Sequence, residues 1–251
     1  DNRLILVLVA AVGIYAIFLF TSDFNIISEK ISNFKIYYLP LILLFVTVSW
    51  IPLIFRWHFL LKNCEIQIPF TKSILVYLSG SALQITPGQI GELIKAQILK
   101  TGFNIPRTKT ASVVLVEKVY DLIGAIVASI IGIIILELEI YLIILAVFIL
   151  FLIFFFIYYK PAFEFFLRRI IKMKFFSKYT ENISESYEVI KKSTTPKVAI
   201  FSIFLSITYW FIVSVAVYYT LLAFDVDILN YLKVLSIFTT STILGAITFI
   251  P

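Results

Sequence analysis

Long runs of apolar residues separated by short polar stretches dominate the pattern along this chain. Runs that are long enough to cross about 30 Å of hydrocarbon predict membrane-spanning helices. They lie at residues 4–21, 37–55, 111–136, 139–159 and 198–222, and an incomplete run extends from residue 232 to the end. No small-residue cleavage site follows the first run, so we interpret it as a retained span rather than a signal peptide.

Residues 73–100 interrupt this pattern in a different way. Two apolar arms flank a polar segment that contains Gln84, Pro87, Glu92 and three glycines. Each arm of about 13 residues is about 20 Å long at helical rise, which is too short to cross a bilayer. Proline removes a backbone donor and glycine tolerates an open turn, so two half-helices are expected to meet near Pro87 and Gly88. We predict a re-entrant helical hairpin; the alternative is a proline-kinked helix whose polar side chains repair backbone hydrogen bonds.

The basic residues predict the orientation of the spans. Most Lys and Arg residues lie before the first span and in the stretches 56–72, 100–109 and 160–197, and loops of this kind face the cytoplasm. Stretches 56–72 and 100–109 lie on the same side of the membrane only if the segment between them enters and leaves the membrane on that side, as a re-entrant hairpin does. We therefore predict an all-α, polytopic protein of the cell membrane, folded as a helical bundle with cytoplasmic basic loops.

Composition supports the membrane class and excludes several others. The chain is 61% hydrophobic and only 14% charged, with a mean hydropathy of +1.03, which excludes an ordinary soluble domain. The net charge of +6 is accounted for by cytoplasmic loops, so no nucleic-acid partner is predicted. Cys64 and His58 are the single residues of their types and cannot form the usual zinc or iron sites. We predict no metal and no cofactor.

The stretch 160–197 combines aromatic and basic residues. Such a segment is typical of a cytoplasmic amphipathic element that lies on an anionic lipid surface. An ordinary positive-inside loop has a similar composition, so both interpretations stand.

Charged residues at membrane depth are the main functional candidates. Glu92 and Lys95 can pair because they are three residues apart on the second half-helix. Such a pair either neutralises two buried charges or presents Lys95 to an anionic head group, with Glu92 as its counter-ion or as a proton carrier.

The span 111–136 carries a second charged group. Glu117 and Asp121 lie one helical turn apart and, at this depth, require a cation. Lys95, Lys118 and Arg56 are the candidate partners, and purely structural pairing is the alternative to a functional role.

Three further patterns bear on packing. Arg56 and Trp57 near the cytoplasmic end of the second span are typical either of interfacial anchors or of substrate contacts. A stripe of Gly124, Ala128 and Gly132 predicts close helix packing. Residues 236–251 resemble the approach to the first break, which predicts a second, truncated re-entrant hairpin and an arrangement like that of inverted repeats.

Four stretches together resemble the lysylphosphatidylglycerol synthase transmembrane-region family. They are Arg56-Trp57, Pro87 to Lys95, Ser112 to Asp121 and Thr248 to Pro251. This flippase-like domain also forms the membrane half of multiple peptide resistance factors. The family often has Arg or Lys where this chain has Gln89, and often Arg where it has Lys118. The resemblance covers nearly the whole chain and implies a single integral membrane domain over residues 1–251, which we expect to be truncated at its C-terminus.

The resemblance implies lipid translocation without catalysis. The lipid would carry an anionic, aminoacylated, or glycosylated or polyprenyl-phosphate head group and cross through a polar cavity. The implied partners are this membrane lipid, an anionic lipid surface, and either further copies of the chain or a lipid-modifying enzyme. An ion-coupled secondary transporter of a small polar solute and a membrane scaffold for a glycosyltransferase are the alternatives. The candidate substrate-binding residues are Arg56, Gln84, Pro87, Gly88, Gln89, Gly91, Glu92, Lys95, Glu117, Lys118 and Asp121.

Overall fold

The computed structural model describes residues 31–84, 91–135, 148–152 and 183–248, with single positions at 144, 155, 159, 161 and 165. All regular secondary structure in these residues is helical. A short 3-10 helix, Ile36–Tyr38, leads into the first α-helix. The α-helices with defined bounds are α1 (Leu39–Asn63), α2 (Phe70–Ser81), α3 (Ile94–Phe103), α4 (Arg107–Ile135), α5 (Ile183–Ser193), α6 (Pro196–Ala223) and α7 (Tyr231–Thr248). The predicted spans 4–21 and, apart from a few positions, 139–159 lie outside the described residues.

The two most apolar helices form an antiparallel pair. The segments Ile36–Asn63 and Pro196–Ala223 are, within the described part of the chain, the helices long and apolar enough to cross a membrane. The rings of Phe59 and Phe201 lie 4.7 Å apart, whereas those of Phe45 and Tyr219 lie 5.8 Å apart near the opposite ends of α1 and α6. These contacts bring the end of α1 and the start of α6 to the same end of the bundle.

The predicted end of the second span is wrong. The span was expected to stop at residue 55, but α1 continues to Asn63 and includes Pro52 in its interior. The helix continues because residues 56–63 bury one face, which includes Trp57, Leu60 and Leu61, against the protein core. A proline costs one backbone hydrogen bond, and this packing outweighs that loss.

Helix α4 is the central element and contacts α1, α3, α5, α6 and α7. Its approach to α6 is close because Gly124 has no side chain. A Cβ at that position would lie 2.6 Å from Cβ of Ser206 and 3.0 Å from the Ser206 carbonyl carbon. One turn further along, Ala128 is fully buried in a cluster with Leu235. The close packing predicted from the small-residue stripe is confirmed at Gly124 and Ala128.

The broken segment forms two short helices that contact each other. At helical rise α2 and α3 are about 18 and 15 Å long, so neither could cross a bilayer alone. Residues 91–93 form a 3-10 turn before α3, and residues 85–90 of the break lie outside the described residues. The helical part extends slightly beyond the predicted 73–100, because α2 begins at Phe70 and α3 ends at Phe103. The two short helices are as predicted, whereas the predicted junction near Pro87 and Gly88 lies outside the described residues and the re-entrant path stays a prediction.

Helix α5 is the described part of the stretch 160–197 that precedes α6. Helix α5 buries Ser186, Val189 and Ile190 and contacts α4, where the Tyr120 hydroxyl donates a 2.7 Å hydrogen bond to the Ser193 carbonyl. Its apolar face therefore packs on protein rather than lipid. Lys197 lies in the first turn of α6, which begins at Pro196. The aromatic and basic run 163–176 lies outside the described residues, apart from position 165.

Helix α7 packs against α4 and α6. It is continuous from Tyr231 to Thr248. The predicted second break, at residues 249–251, lies outside the described residues, so a second hairpin remains a prediction.

Replacing Gly124 with alanine tests the close contact between α4 and α6. The added methyl group has no space beside Ser206, and overpacking of this kind costs about 1–3 kcal/mol. We expect Gly124→Ala to lower the thermal midpoint in detergent micelles. Gly102→Ala is the matched control, because a Cβ there meets nothing within 4 Å and alanine favours helix by up to about 1 kcal/mol. Equal midpoints for the two variants would contradict the contact.

Candidate functional site

Six charged side chains from three helices and the turn before α3 form a closed cycle in which positive and negative groups alternate. We call this cycle the charged ring. It contains three cations and three carboxylates and has no net formal charge. In order around the cycle its members are Arg56, Glu117, Lys95, Glu92, Lys118 and Asp121.

One half of the charged ring is inaccessible to solvent. The Lys95 ammonium lies 2.8 Å from Oε2 of Glu92 and 2.9 Å from Oε2 of Glu117. Nη2 of Arg56 lies 3.5 Å from Oε1 of Glu117. All four side chains are at most 1% exposed. Charges buried to this degree are tolerated only when each has an opposite charge nearby.

The other half reaches the surface. Nη1 of Arg56 donates to Oδ1 of Asp121 over 2.7 Å, and Lys118 contacts the Glu92 carboxylate. The cycle is closed by Lys118 and Asp121, whose charged atoms are 3.8 Å apart and whose side chains are 28% and 23% exposed. The longest link of the charged ring is therefore also its exposed link, which makes it the easiest place for another charged group to insert.

Helical spacing explains how these side chains meet. Glu117, Lys118 and Asp121 lie within little more than one turn of α4, and Glu92 and Lys95 flank the start of α3. The predicted pairing of Glu92 with Lys95 is confirmed. The expectation that Glu117 and Asp121 find partners among the three candidate cations is also confirmed.

Aromatic rings and a glycine support Lys95. Its ammonium lies 4.8 Å from the ring centre of Trp57 and 4.5 Å from that of Tyr77, within the range of cation–π attraction. A Cβ on Gly80 would lie 2.6 Å from Cγ of Lys95. Because Gly80 has no side chain, the lysine side chain has room to reach the two carboxylates.

Helix α6 supplies contacts that the sequence analysis missed. The Ser206 hydroxyl accepts a hydrogen bond from Nη1 of Arg56 and donates one to the Ser202 carbonyl over 2.9 Å. Nε1 of Trp210 donates to the backbone carbonyl of Asp121 over 3.0 Å. A signal was present: Ser202, Ser206, Trp210 and Ser214 recur every fourth residue and are all buried, so they mark the face of α6 that contacts other helices.

The interpretation of Arg56 and Trp57 as interfacial anchors is wrong. Both side chains are fully buried, because this face of α1 packs against the core and against α4. Arg56 lies seven residues before the end of α1, or about 10 Å along the helix. Nε and Nη2 of Arg56 and Nε1 of Trp57 have no hydrogen-bond acceptor among the described residues. Buried donors without acceptors are rare and costly. On this side of the charged ring they can donate hydrogen bonds to further oxygen atoms.

The remaining predicted residues divide into two groups. Nε2 of Gln84 donates a 2.7 Å hydrogen bond to Oε1 of Glu92 and so joins the charged ring to the end of α2. Gly91 lies in the 3-10 turn directly before Glu92. Pro87, Gly88 and Gln89 lie outside the described residues.

Long apolar helices around a buried, charge-balanced group are typical of a membrane protein rather than of a soluble domain. The family comparison agrees with this class. The sequence model of the lysylphosphatidylglycerol synthase TM region matches residues 5–251. The chain belongs to this family, as its sequence resemblance indicated, and the family relates it to lipid handling in membranes. No curated protein and no solved structure matches the chain.

Two buried serines of α6 allow a matched test of the contact to Arg56. Ser206→Ala removes an acceptor from a buried guanidinium, and an unsatisfied buried group of this kind costs about 1–3 kcal/mol. Ser202→Ala removes a buried hydroxyl that has no partner in the described part of the chain. We expect a lower thermal midpoint for Ser206→Ala and little change for Ser202→Ala. The reverse order would show that Ser206 does not hold Arg56.

A charge-restoring double variant tests the charge balance of the buried half. Lys95→Met leaves Glu92 and Glu117 without their shared cation, and breaking a buried pair in this way costs about 3–5 kcal/mol. Lys95→Met combined with Glu117→Gln restores neutrality and should be more stable than Lys95→Met alone. Lys100→Met on the same helix is the control and should change stability by less than about 0.5 kcal/mol. A double variant less stable than Lys95→Met would exclude charge balance as the stabilising principle.

Proposed function

We propose that this chain is a multi-pass membrane domain that moves the head group of a lipid between leaflets through the charged ring. The cargo is a lipid with an anionic, aminoacylated, or glycosylated or polyprenyl-phosphate head group, and no covalent bond is made or broken in the domain. The observation that carries the proposal is a charged ring that is neutral overall, buried on one side and open to the surface at one long link.

The ends of the two long helices support a membrane-spanning orientation. At one end tyrosines cluster, with the rings of Tyr38 and Tyr219 5.8 Å apart, as in the aromatic belts of membrane proteins. At the other end lie Lys62 and Lys197. Tyr38 and Lys62 are about 36 Å apart along α1, and Lys197 and Tyr219 about 33 Å apart along α6, close to the thickness of a bilayer core.

The charged ring lies at an intermediate depth on this scale. Arg56 is about 10 Å from the basic end of α1, and Glu117 is about 15 Å from the start of α4. The short helices α2 and α3 begin and end near Lys72 and Lys100, which supports a hairpin that enters and leaves on the basic side. Its polar break would then meet the head group inside the bilayer, where backbone irregularities are tolerated only beside a cavity.

Insertion at the exposed link gives a simple translocation step. A phosphate oxygen accepts hydrogen bonds from Lys118 in place of Asp121, and an amine on the head group, where one is present, donates to Asp121. The ring opens without leaving a bare charge, because Asp121 keeps its pair with Arg56 and Lys118 keeps its pair with Glu92. The spare donors of Arg56 then bind further head-group oxygens, while the acyl or prenyl tails stay in the hydrocarbon. Glu92, Glu117 and Asp121 exchange partners as the head group crosses.

A leaflet-resolved lipid assay in proteoliposomes tests this function. Purified chain is reconstituted without any ion gradient, with aminoacylated, glycosylated and polyprenyl-phosphate lipids offered separately. Lys118→Gln and Asp121→Asn each remove one side of the exposed link, and we expect the rate of lipid movement to fall about tenfold or more, the effect of about 1.4 kcal/mol on a barrier. Lys109→Gln, on α4 but outside the charged ring, should leave the rate unchanged.

The outcomes separate the proposal from its rivals. Movement that requires an ion gradient and a soluble cargo would favour a secondary transporter. Absence of lipid movement in the folded wild-type protein would favour a scaffold. Folded Lys118→Gln and Asp121→Asn variants that move lipid at the wild-type rate would exclude the exposed link as the path.

A further inference from the structure

A groove of about 820 Å³ lies against α1 and the first turns of α6, and none of its lining residues belongs to the charged ring. Its lining comes from one residue of α1 and four of the first turns of α6. The lining residues are Phe59, Lys197, Ile200, Phe201 and Phe204. Except for the lysine, all are apolar, and the four α6 residues follow the spacing of a single helix face.

The apolar part of the groove is open to its surroundings. Ile200 is 70% exposed and Phe204 is 62% exposed. The rings of Phe59 and Phe201 pack edge to face across the helix pair, at 4.7 Å between centroids. In a protein whose long helices lie in a bilayer, this concave apolar surface faces acyl chains rather than water. An acyl chain is therefore its natural occupant.

The charge at the end of the groove restricts which lipid fits best. Lys197 lies in the first turn of α6 and makes no ion pair within the described ranges. The acid Glu65, two residues after the end of α1, is already engaged: its carboxylate lies 2.8 Å from the ammonium of Lys192, and that hydrogen bond lowers the pKa of Glu65. Lys62, one turn after Phe59, adds a second positive charge at the same end. Among the described residues no carboxylate pairs with Lys197, and its exposed ammonium can therefore contact an anion at this end of the groove.

One molecule supplies both an acyl chain and an anion. We infer that the groove binds a single anionic glycerophospholipid, with its phosphate beside Lys197 and one acyl chain along Phe201 and Phe204. This site is separate from the charged ring and does not require that the chain transport lipid. Arg56 and Ser206 join the same two helices deeper in the bundle, so a lipid held in the groove would also stabilise the contact between α1 and α6.

Lipid titration of the whole chain tests the site. The protein is purified in detergent, stripped of lipid and titrated with phosphatidylglycerol or phosphatidylcholine that carry the same acyl chains. Native mass spectrometry counts the bound lipids, and the thermal midpoint is measured in parallel. We expect one retained phosphatidylglycerol molecule and a higher thermal midpoint than with phosphatidylcholine. Lys197→Gln should lower the preference for phosphatidylglycerol over phosphatidylcholine about fivefold, as expected for one lysine at an anionic lipid.

Two further variants keep the test specific. Lys191→Gln removes an exposed charge at the same end of the bundle but outside the groove, and it should retain the preference. Phe204→Ser should weaken the binding of both lipids alike, because it alters the apolar lining of the groove and leaves the charge of Lys197 in place. If Lys191→Gln and Lys197→Gln lowered the preference for phosphatidylglycerol equally, the preference would reflect general electrostatic attraction to the basic end of the bundle. That result would overturn the site. Equal binding of the two lipids by the wild-type chain would also overturn it, whether or not the protein moves lipid.

Discussion

Balancing charges away from water is the constraint on which the rest of this structure depends. Arg56 and Lys95 are fully buried, and an isolated charge at such a position costs several kcal/mol even after relaxation. Each is therefore surrounded by carboxylates from another helix or turn. The charged ring ties α1, the segment before α3, and α4 into one arrangement, because moving any of them would separate a buried charge from its partner.

Small residues make this arrangement sterically possible. Gly80 leaves room for the Lys95 side chain, and Gly124 lets α6 approach α4 until Ser206 reaches Arg56. Close backbone approach of this kind is how helices associate where there is no hydrophobic force between them. The same geometry leaves one link of the ring long and exposed, so stability and the proposed head-group pathway depend on a single set of contacts.

Local periodicity made much of the site predictable. The pairing of Glu92 with Lys95 follows from their positions within one helical turn, as does the shared face of Glu117 and Asp121. The sequence left two interpretations of Arg56 open, because a cationic residue next to a tryptophan near a helix end has the same pattern as an interfacial anchor and Arg56 was also a candidate partner of the α4 carboxylates. Its true position depends on where α1 stops, and that depends on packing against other helices.

The sequence by itself determined the helical class, the approximate bounds of the long helices α4 and α6, the two short helices α2 and α3, and the family. These features depend on the length of apolar runs and on residues that disfavour regular helix, which act over a few turns of chain. Only the tertiary structure decided that three cations and three carboxylates close into one ring, which link is exposed, and that a serine of α6 accepts a hydrogen bond from its arginine. Those outcomes depend on distances between helices far apart in sequence, and no local pattern specifies them.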